Sequence, residues 1–180
     1  MKKIAILMML VALSINSYSQ TLTELDKKNG LSHFKFGTSS SSYHNQIKKD
    51  DSYVGDGLGE VYKVVDPSLT KVFDYYTETI ALFFKENKLY AIAIDFTCET
   101  ENHNYDLIKS YLIKLFGNPG IGDIERAEED THIVLKGKRW TGNYNELDIM
   151  DVYRKRTSCY RVQIWYHSKS VQKESLNKQF

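Results

Sequence analysis

The chain has 180 residues, of which 42% are hydrophobic and 26% are charged. Its 24 Lys and Arg residues nearly balance its 23 Asp and Glu residues. These values are typical of a folded globular domain and exclude disordered, collagen-like and low-complexity chains. The charge balance also argues against a nucleic-acid partner, because proteins that bind nucleic acids usually carry a concentrated basic field.

Residues 1–19 have the pattern of a signal peptide. Two lysines precede the apolar run Ile4–Ile15, and the small residues Ser17 and Ser19 suit a signal-peptidase site. As a helix, this run is about 18 Å long, which is short for a bilayer core of about 30 Å. We therefore expect export, with cleavage near Ser19 and no transmembrane span in the mature chain, in the periplasm or outside the cell. The alternative is an N-terminal membrane anchor.

The N-terminal part of the mature chain shows helix and loop signals. Leu22–Asn29 predicts a short helix that ends at Gly30. Thr38–Ser42 is polar and predicts the start of a second helix, which extends to Ile47. Asp50–Glu60 contains three glycines at alternate positions and predicts a loop.

Strand patterns dominate the rest of the chain. Glu86–Asn87 predicts a tight turn between two of the strands, and the alternation slips near Asp151, which indicates a β-bulge. Within the predicted strand Lys88–Cys98, alternation places one set of apolar residues on a single face: Tyr90, Ile92, Ile94 and Phe96. The predicted strands are Val61–Asp66, Val72–Lys85, Lys88–Cys98, Thr131–Trp140, Glu146–Tyr153 and Cys159–His167.

The clearest helix is Tyr105–Phe116. Gly117 stands where a helix-ending glycine belongs, and Pro119 follows it. The predicted apolar stripe, at i, i+3, i+4 and i+7, consists of Ile108, Tyr111, Leu112 and Leu115.

Together these elements predict an α+β fold in one domain, residues 20–168, followed by a polar C-terminal tail, residues 169–180. We expect a two-layer sandwich. Its antiparallel sheet of five to six strands would be covered on one face by one long helix and a short N-terminal helical segment.

Four segments resemble a group of small exported bacterial proteins. They are Phe34–Gly37, the hairpin Phe83–Tyr90, the helix end Tyr111–Pro119 and the late Trp140. Their order is similar to that of the fold group of β-lactamase inhibitor proteins and small outer-membrane assembly lipoproteins. This resemblance implies a binding fold in which helical segments cover one face of an antiparallel sheet, with no catalytic residues to transfer.

The sequence predicts no catalytic residue, cofactor or metal site. The serine run Ser39–Ser42 lies beside His44, but no nucleophile motif surrounds it. The five histidines lack the short spacings of zinc ligands. The Asp- and Gly-rich segment Asp50–Gly59 does not match a calcium-binding loop.

Cys98 and Cys159 are the two cysteines, and they form a possible disulfide. Export would permit oxidation. Strand parity argues against the bond, because Cys98 is in phase with Ile94 whereas Cys159 is out of phase with Val162. Parity loses its meaning if either cysteine lies beyond the end of its strand, so both outcomes stay open.

Several carboxylates keep a hydrolase open as an alternative. A pair of such groups across a cleft suffices for glycoside hydrolysis. A small secreted hydrolase would use this acidic set or Cys98 as a nucleophile. The acidic residues are Glu125, Glu128, Glu129 and Asp130 in a loop, with Asp148 and Asp151 in a strand.

The aromatic content is the feature that points to a function. If Val162 and Ile164 face the core, Trp165 and His167 face away from it. Tyr and Trp are common at recognition surfaces. We therefore expect a non-enzymatic binding module that presents an aromatic sheet face to a protein, peptide or glycan of the cell envelope. An envelope assembly factor is a further alternative. The candidate binding residues are Trp140, Tyr144, Tyr153, Trp165 and His167.

Overall fold

A computed structural model describes residues 24–52, 59–100, 104–120, 123–124, 128–129 and 132–171. The predicted signal peptide lies outside these ranges. Residues 24–27 are helical, 3₁₀ helices span Ser40–Gln46 and Pro67–Leu69, and helix α1 spans Asn104–Phe116. The strands are β1 (Gly30–Leu31), β2 (Phe34–Lys35), β3 (Ile47–Lys49), β4 (Glu60–Val64), β5 (Lys71–Val72), β6 (Tyr75–Lys85), β7 (Lys88–Phe96), β8 (Glu128–Glu129), β9 (His132–Thr141), β10 (Asn145–Arg154) and β11 (Cys159–Ser168).

The main sheet is antiparallel, as the sequence predicts. Within the described residues, eight strands follow one another in the order β3-β4-β6-β7-β11-β10-β9-β8, and β5 adds to β6. Strands β1 and β2 form a separate hairpin. Tight hairpins connect β6 to β7 and β9 to β10, and the turn Glu86–Asn87 has positive φ at both residues. Such a turn matches the twist of the strands that it joins.

The predicted fold class is wrong in the size of the sheet and in its cover. The chain is mostly β, with a sheet of eight strands rather than five or six under one long helix. Eight strands span about 34 Å across the sheet, whereas thirteen helical residues are about 20 Å long and about 10 Å wide. A single helix therefore cannot cover this sheet. The edge strands β3 and β8 have only three and two residues, too few to show an alternating pattern.

The N-terminal segment supplies much of the cover that α1 cannot. The hairpin β1–β2 and the neighbouring 3₁₀ helices bury apolar residues against the same core as α1. Gly30 is the first residue of β1 and opens this hairpin instead of ending a helix. Its φ is 130°, and a Cβ there would lie 2.1 Å from the carbonyl oxygen of Phe34, so the position requires glycine. The N-terminal core residues are Leu25, Leu31, Phe34, Phe36, Tyr43 and Leu69.

Helix α1 confirms the predicted helix and its terminus. Gly117 has φ of 79° and donates its backbone N–H to the carbonyl of Ile113 at 2.8 Å, as a helix-ending glycine does. The buried stripe differs from the predicted one, because Tyr111 and Leu115 lie at its partly exposed margin. The residues fully buried against the sheet are Tyr105, Ile108, Leu112 and Phe116.

Two irregularities decide which side chains face α1. The pairing of β6 with β7 shifts between Phe83 and Phe84, so Leu89 joins the core beneath α1 while Tyr90 moves to the opposite face. The predicted shared face for Tyr90 and Ile92 is therefore wrong. The expected bulge near Asp151 is present, since the pairing of β10 with β9 shifts between Asp151 and Val152.

Asp26 anchors the N-terminal segment to the turn between β9 and β10. Its carboxylate accepts backbone N–H bonds from Asn143, Tyr144 and Asn145 at 2.7, 3.0 and 3.1 Å. Gly142 completes the fit, because a side chain there would lie 2.3 Å from the Asp26 carboxylate. One carboxylate thus satisfies three donors of a tight turn.

The pairing of β7 with β11 is the seam that joins the two halves of the sheet. Residues 91–95 pair with residues 163–167, and a bridge between Glu99 and Tyr160 extends the seam. Asp95 pairs with Gln163, and Glu99 pairs with Tyr160. The β7 side thus has one residue more between these two pairs than the β11 side. After this extra residue, the side chains that follow β7 point to the opposite face from the one that their alternation along β7 predicts. This reversal brings Cys98 beside Cys159.

Cys98 and Cys159 form a disulfide with a Cα–Cα distance of 5.7 Å. The parity argument against the bond is wrong because Cys98 lies beyond the end of β7, past the reversal. The bond closes a loop with a sequence separation of 61 and fixes one end of the seam.

We expect the disulfide to contribute about 4 kcal/mol to the free energy of unfolding, since a loop of this length restricts the unfolded chain by that amount. Urea unfolding with and without a thiol reductant measures the difference. The variant Cys98→Ser with Cys159→Ser should match the reduced protein. Equal midpoints for the oxidised and reduced protein would contradict the assigned bond.

Candidate functional site

The sheet has a second face that α1 does not cover, which we call the helix-free face. The register of β4, β6, β7, β11, β10 and β9 places its residues in parallel lines across the sheet, because directly opposed residues point to the same side. The first line is Val61, Phe83, Ala91, His167 and Glu146. The second is Lys63, Ala81, Ala93, Trp165, Asp148 and Arg139. The third is Thr79, Asp95, Gln163, Met150 and Gly137.

An apolar cluster occupies one side of the helix-free face. The Trp165 ring is partly buried and meets the Phe83 ring edge-on, with 4.9 Å between the ring centroids. Ala93 and Val171 also pack at the margin of this cluster, the latter from the helical residues 169–171 that follow β11. Trp165 is thus held in place rather than free to rotate in solvent. The buried members of the cluster are Val61, Ala81, Phe83, Tyr90 and Ala91.

A charged network crosses the seam next to this cluster. Arg161 is only 3% exposed and donates to the Asp95 carboxylate at 2.9 Å and to Glu78. Gln163 donates to the second Asp95 oxygen at 2.8 Å. The Nε of Arg161 is buried without a hydrogen-bond partner among the described residues. The guanidinium therefore holds β6, β7 and β11 together on this face.

A second ion pair lies beside Trp165 toward β10 and β9, on the side away from β7. Arg139 binds the Asp148 carboxylate through two hydrogen bonds, both 2.7 Å long. Bonding to Asp148 is the main cause that raises the pKa of Arg139. Glu146 lies 3.5 Å from Arg139 and 3.9 Å from Lys169. Here the Arg139 side chain is 46% exposed and forms the rim of the face.

His167 lies between the aromatic and charged parts of the face. Its ring centroid is 6.4 Å from that of Trp165, and its Nδ1 is buried without a partner among the described residues. Burial lowers the pKa of His167, and the nearby charges of Glu146 and Asp148 oppose that shift. The ring therefore favours its neutral form in the folded protein.

The structure brings two of the five predicted binding residues together, Trp165 and His167. Trp140 is 1% exposed and lies in the core on the α1 side, where its Nε1 donates to the Gly117 carbonyl at 2.8 Å. Its assignment to a binding surface is therefore wrong. Trp140 lies directly opposite the buried Leu147 on β10, so both side chains point to the core side. The pattern of β9 alone does not reveal this partner.

The two predicted tyrosines lie away from the helix-free face. Tyr144 is 62% exposed in the turn between β9 and β10. Tyr153 is partly buried and packs against Tyr160, with 5.2 Å between ring centroids, on the side of the sheet that carries α1. Neither ring shares a surface with Trp165.

The residues of the hydrolase alternative are not assembled in the part of the chain that the structure describes. Asp148 and Asp151 lie on opposite faces of β10, so the two carboxylates cannot flank one substrate bond. Cys98 is bonded to Cys159 and has no thiol. The remaining loop carboxylates have no described side chains: Glu125, Glu128, Glu129 and Asp130.

The described ranges hold neither a cluster of metal ligands nor a membrane-spanning helix. No three His, Cys, Asp or Glu side chains there come together as ligands of a metal ion. None of the helices there has the length and apolar character needed to cross a membrane.

Sequence reasoning missed the charged members of the face. Arg161 and Gln163 alternate with the apolar Val162 and Ile164, and Asp95 follows the apolar Ile94. This alternation indicates that the three polar side chains lie on the face away from the core. The sequence does not reveal that β7 pairs with β11, because the paired residues are more than sixty positions apart.

Comparison with protein-family models, curated proteins and solved structures gives no match to this chain.

We expect Arg161→Ala to lower the free energy of unfolding by about 2 kcal/mol, because it leaves Asp95 without its cation and opens a gap at the seam. The partial exposure of Asp95 and Glu78, 23% and 46%, keeps the loss below that of a fully buried pair. Lys49→Ala is the control, because Lys49 and its partner Glu60 are both about half exposed and should give little or no measurable loss. Equal losses in urea unfolding would contradict the structural role of Arg161.

Proposed function

We propose that this protein is an exported, non-enzymatic binding module that holds a protein partner on its helix-free face. The observation that carries the proposal is the position of Trp165. Its ring is partly exposed at the centre of the face and braced by Phe83, and ion pairs flank it on both sides. Large aromatic rings that are already fixed lose little entropy when a partner covers them.

The layout around Trp165 matches the anatomy of protein–protein interfaces. Such interfaces have an apolar centre and a polar rim. Here the apolar cluster adjoins Trp165, and the exposed Arg139 and the partly buried Lys169 lie at the edge. The carboxylates of Asp148 and Asp95 already have cationic partners, so they do not present unpaired charge to an incoming apolar surface.

Export is supported by the leader-like N-terminal pattern together with the disulfide. Disulfides persist mainly in oxidising compartments such as the periplasm or the extracellular space. The mass of the mature protein from its native source tests this part directly, since it reports both cleavage near Ser19 and the absence of free thiols. A full-length, reduced chain would contradict export.

We expect Trp165→Ala to weaken binding of the partner by at least about tenfold, or about 1.4 kcal/mol. The partner is identified by cross-linking the mature wild-type protein in its native envelope, and its affinity is then measured with purified components. Because Trp165 is partly buried, the substitution should also cost about 1–2 kcal/mol of stability. Arg139→Ala should weaken the same complex, and its melting temperature is measured alongside because the substitution leaves the buried Asp148 carboxylate without its cation.

Tyr144→Ala is the control, because Tyr144 is exposed but lies off the helix-free face. Affinity that drops with Trp165→Ala and Arg139→Ala but not with Tyr144→Ala supports the proposal. A glycan as the cross-linked species, or an affinity unaffected by both face variants, would overturn it. Co-purification of several outer-membrane components in a fixed ratio to this protein would favour the assembly-factor alternative.

A further inference from the structure

A polar recess lies away from the helix-free face, next to the N-terminal hairpin. It has a volume of about 350 Å³, at the lower end of the range for small-molecule sites. The β1–β2 hairpin forms one wall, the 3₁₀ helix Ser40–Gln46 forms another, and Leu69 closes the apolar part. The polar lining residues are His33, Lys35, Thr38, Ser42, Tyr43 and Gln46.

Tyr43 is the residue that packing alone does not explain. It is 6% exposed, and its ring packs among Phe34 and Phe84 at centroid distances of 5.8 and 6.2 Å. Its hydroxyl is buried without a hydrogen bond to any described residue. A phenylalanine would fill the same space without burying an unpaired hydroxyl, which costs free energy.

The Tyr43 hydroxyl lies buried in the wall of the recess without a hydrogen bond to any described residue. Burial raises the pKa of Tyr43, and the nearby Thr38 side chain and Lys35 backbone oppose that rise without reaching hydrogen-bond geometry. The hydroxyl therefore stays protonated at neutral pH, and it can donate a hydrogen bond to a ligand that displaces the side-chain atoms now covering it.

The charge of the recess favours an anion. Lys35 makes no ion pair with the described residues, and His33 adds a second nitrogen donor. None of the residues that line the recess is acidic. Outside the recess, the pKa of Asp66 is lowered mainly by hydrogen bonds from Ser68 and to a smaller extent by the lining residue Gln46.

Hydrogen bonds hold the backbone between the two walls of the recess. Backbone hydrogen bonds tie Gly37 and Thr38 to Leu89 at 2.8 and 2.9 Å. Ser40 donates from its backbone and its hydroxyl to the Asn87 side chain at 3.2 and 2.9 Å. The backbone that carries the proposed donors is therefore already ordered, which lowers the entropy cost of binding.

We propose that this recess binds the oxyanion group of a small molecule, a phosphate or a carboxylate. Lys35 supplies the charge, the Tyr43 hydroxyl supplies a buried donor, and Thr38 and Ser42 supply hydroxyls at the wall. The site is independent of the proposed protein-binding face, because none of its lining residues belongs to that face.

The test titrates the folded, oxidised protein separately with glucose 6-phosphate, glucuronate and inorganic phosphate. Binding is monitored by the chemical shifts of the backbone amides in NMR spectra. Glucose is the neutral control. We expect saturable shifts confined to residues 33–46 with a Kd of about 1 mM or lower, and none with glucose. Saturation by inorganic phosphate alone identifies a site for the free anion. Binding only of the sugar acids identifies a site for a larger molecule.

Two substitutions test the assigned roles. Lys35→Gln should raise the Kd by about tenfold or more, since a charge-assisted hydrogen bond is lost. Tyr43→Phe should also weaken binding, yet leave the melting temperature of the ligand-free protein equal or higher. No saturable shift with any of the three anions at about 10 mM, or an unchanged Kd in both variants, would overturn the proposal.

Each substitution has a matched control elsewhere in the chain. Tyr166→Phe removes a buried hydroxyl that already donates to the Leu25 carbonyl at 3.0 Å, so it should lower the melting temperature and leave the Kd unchanged. Lys48→Gln removes an exposed lysine outside the recess and should change neither. A fall in the melting temperature of Tyr43→Phe as large as that of Tyr166→Phe would show that its hydroxyl is already paired, and would also overturn the proposal.

Discussion

The pairing of β7 with β11 is the constraint on which the rest of the structure depends. It joins a sheet half built from residues before α1 to a half built from residues after it. On the α1 side, Ile94 and Ile164 meet directly across this seam, and on the other side Asp95 and Arg161 are bonded. The disulfide closes the end of the seam. Apolar burial, a charged hydrogen bond and a covalent link thus act on one pair of strands.

Because the seam sets the alternation of both halves, it also determines what each face of the sheet carries. Ile92 and Tyr166 point to α1 and the N-terminal hairpin, while Ala93 and Trp165 point to the helix-free face. Ala91 and Ala93 of β7 have small side chains on that face, so the Trp165 ring can lie toward Phe83. The two proposed sites belong to different layers, one on each side of this division.

Local patterns predicted local structure well. The helix ending at Gly117, the turn Glu86–Asn87 and the bulge at Asp151 each follow from residues within a few positions of one another. Features that depend on distant strands were not predictable in this way. Trp140 was placed on the wrong side because its partner strand was unknown, and the disulfide was judged by a parity that fails past Phe96. The short edge strands β3 and β8 exist only through hydrogen bonds to longer neighbours, which leave no periodic signal in the sequence.

The bond network of Asp26 has a consequence for the order in which the fold is completed. Its carboxylate reaches backbone groups that lie 117 to 119 positions further along the chain. Bringing such distant groups together has a large entropic cost until the intervening sheet exists. The first described segment of the polypeptide is therefore among the last to dock, and a nascent chain must carry Leu25 uncovered until its final hairpin has formed.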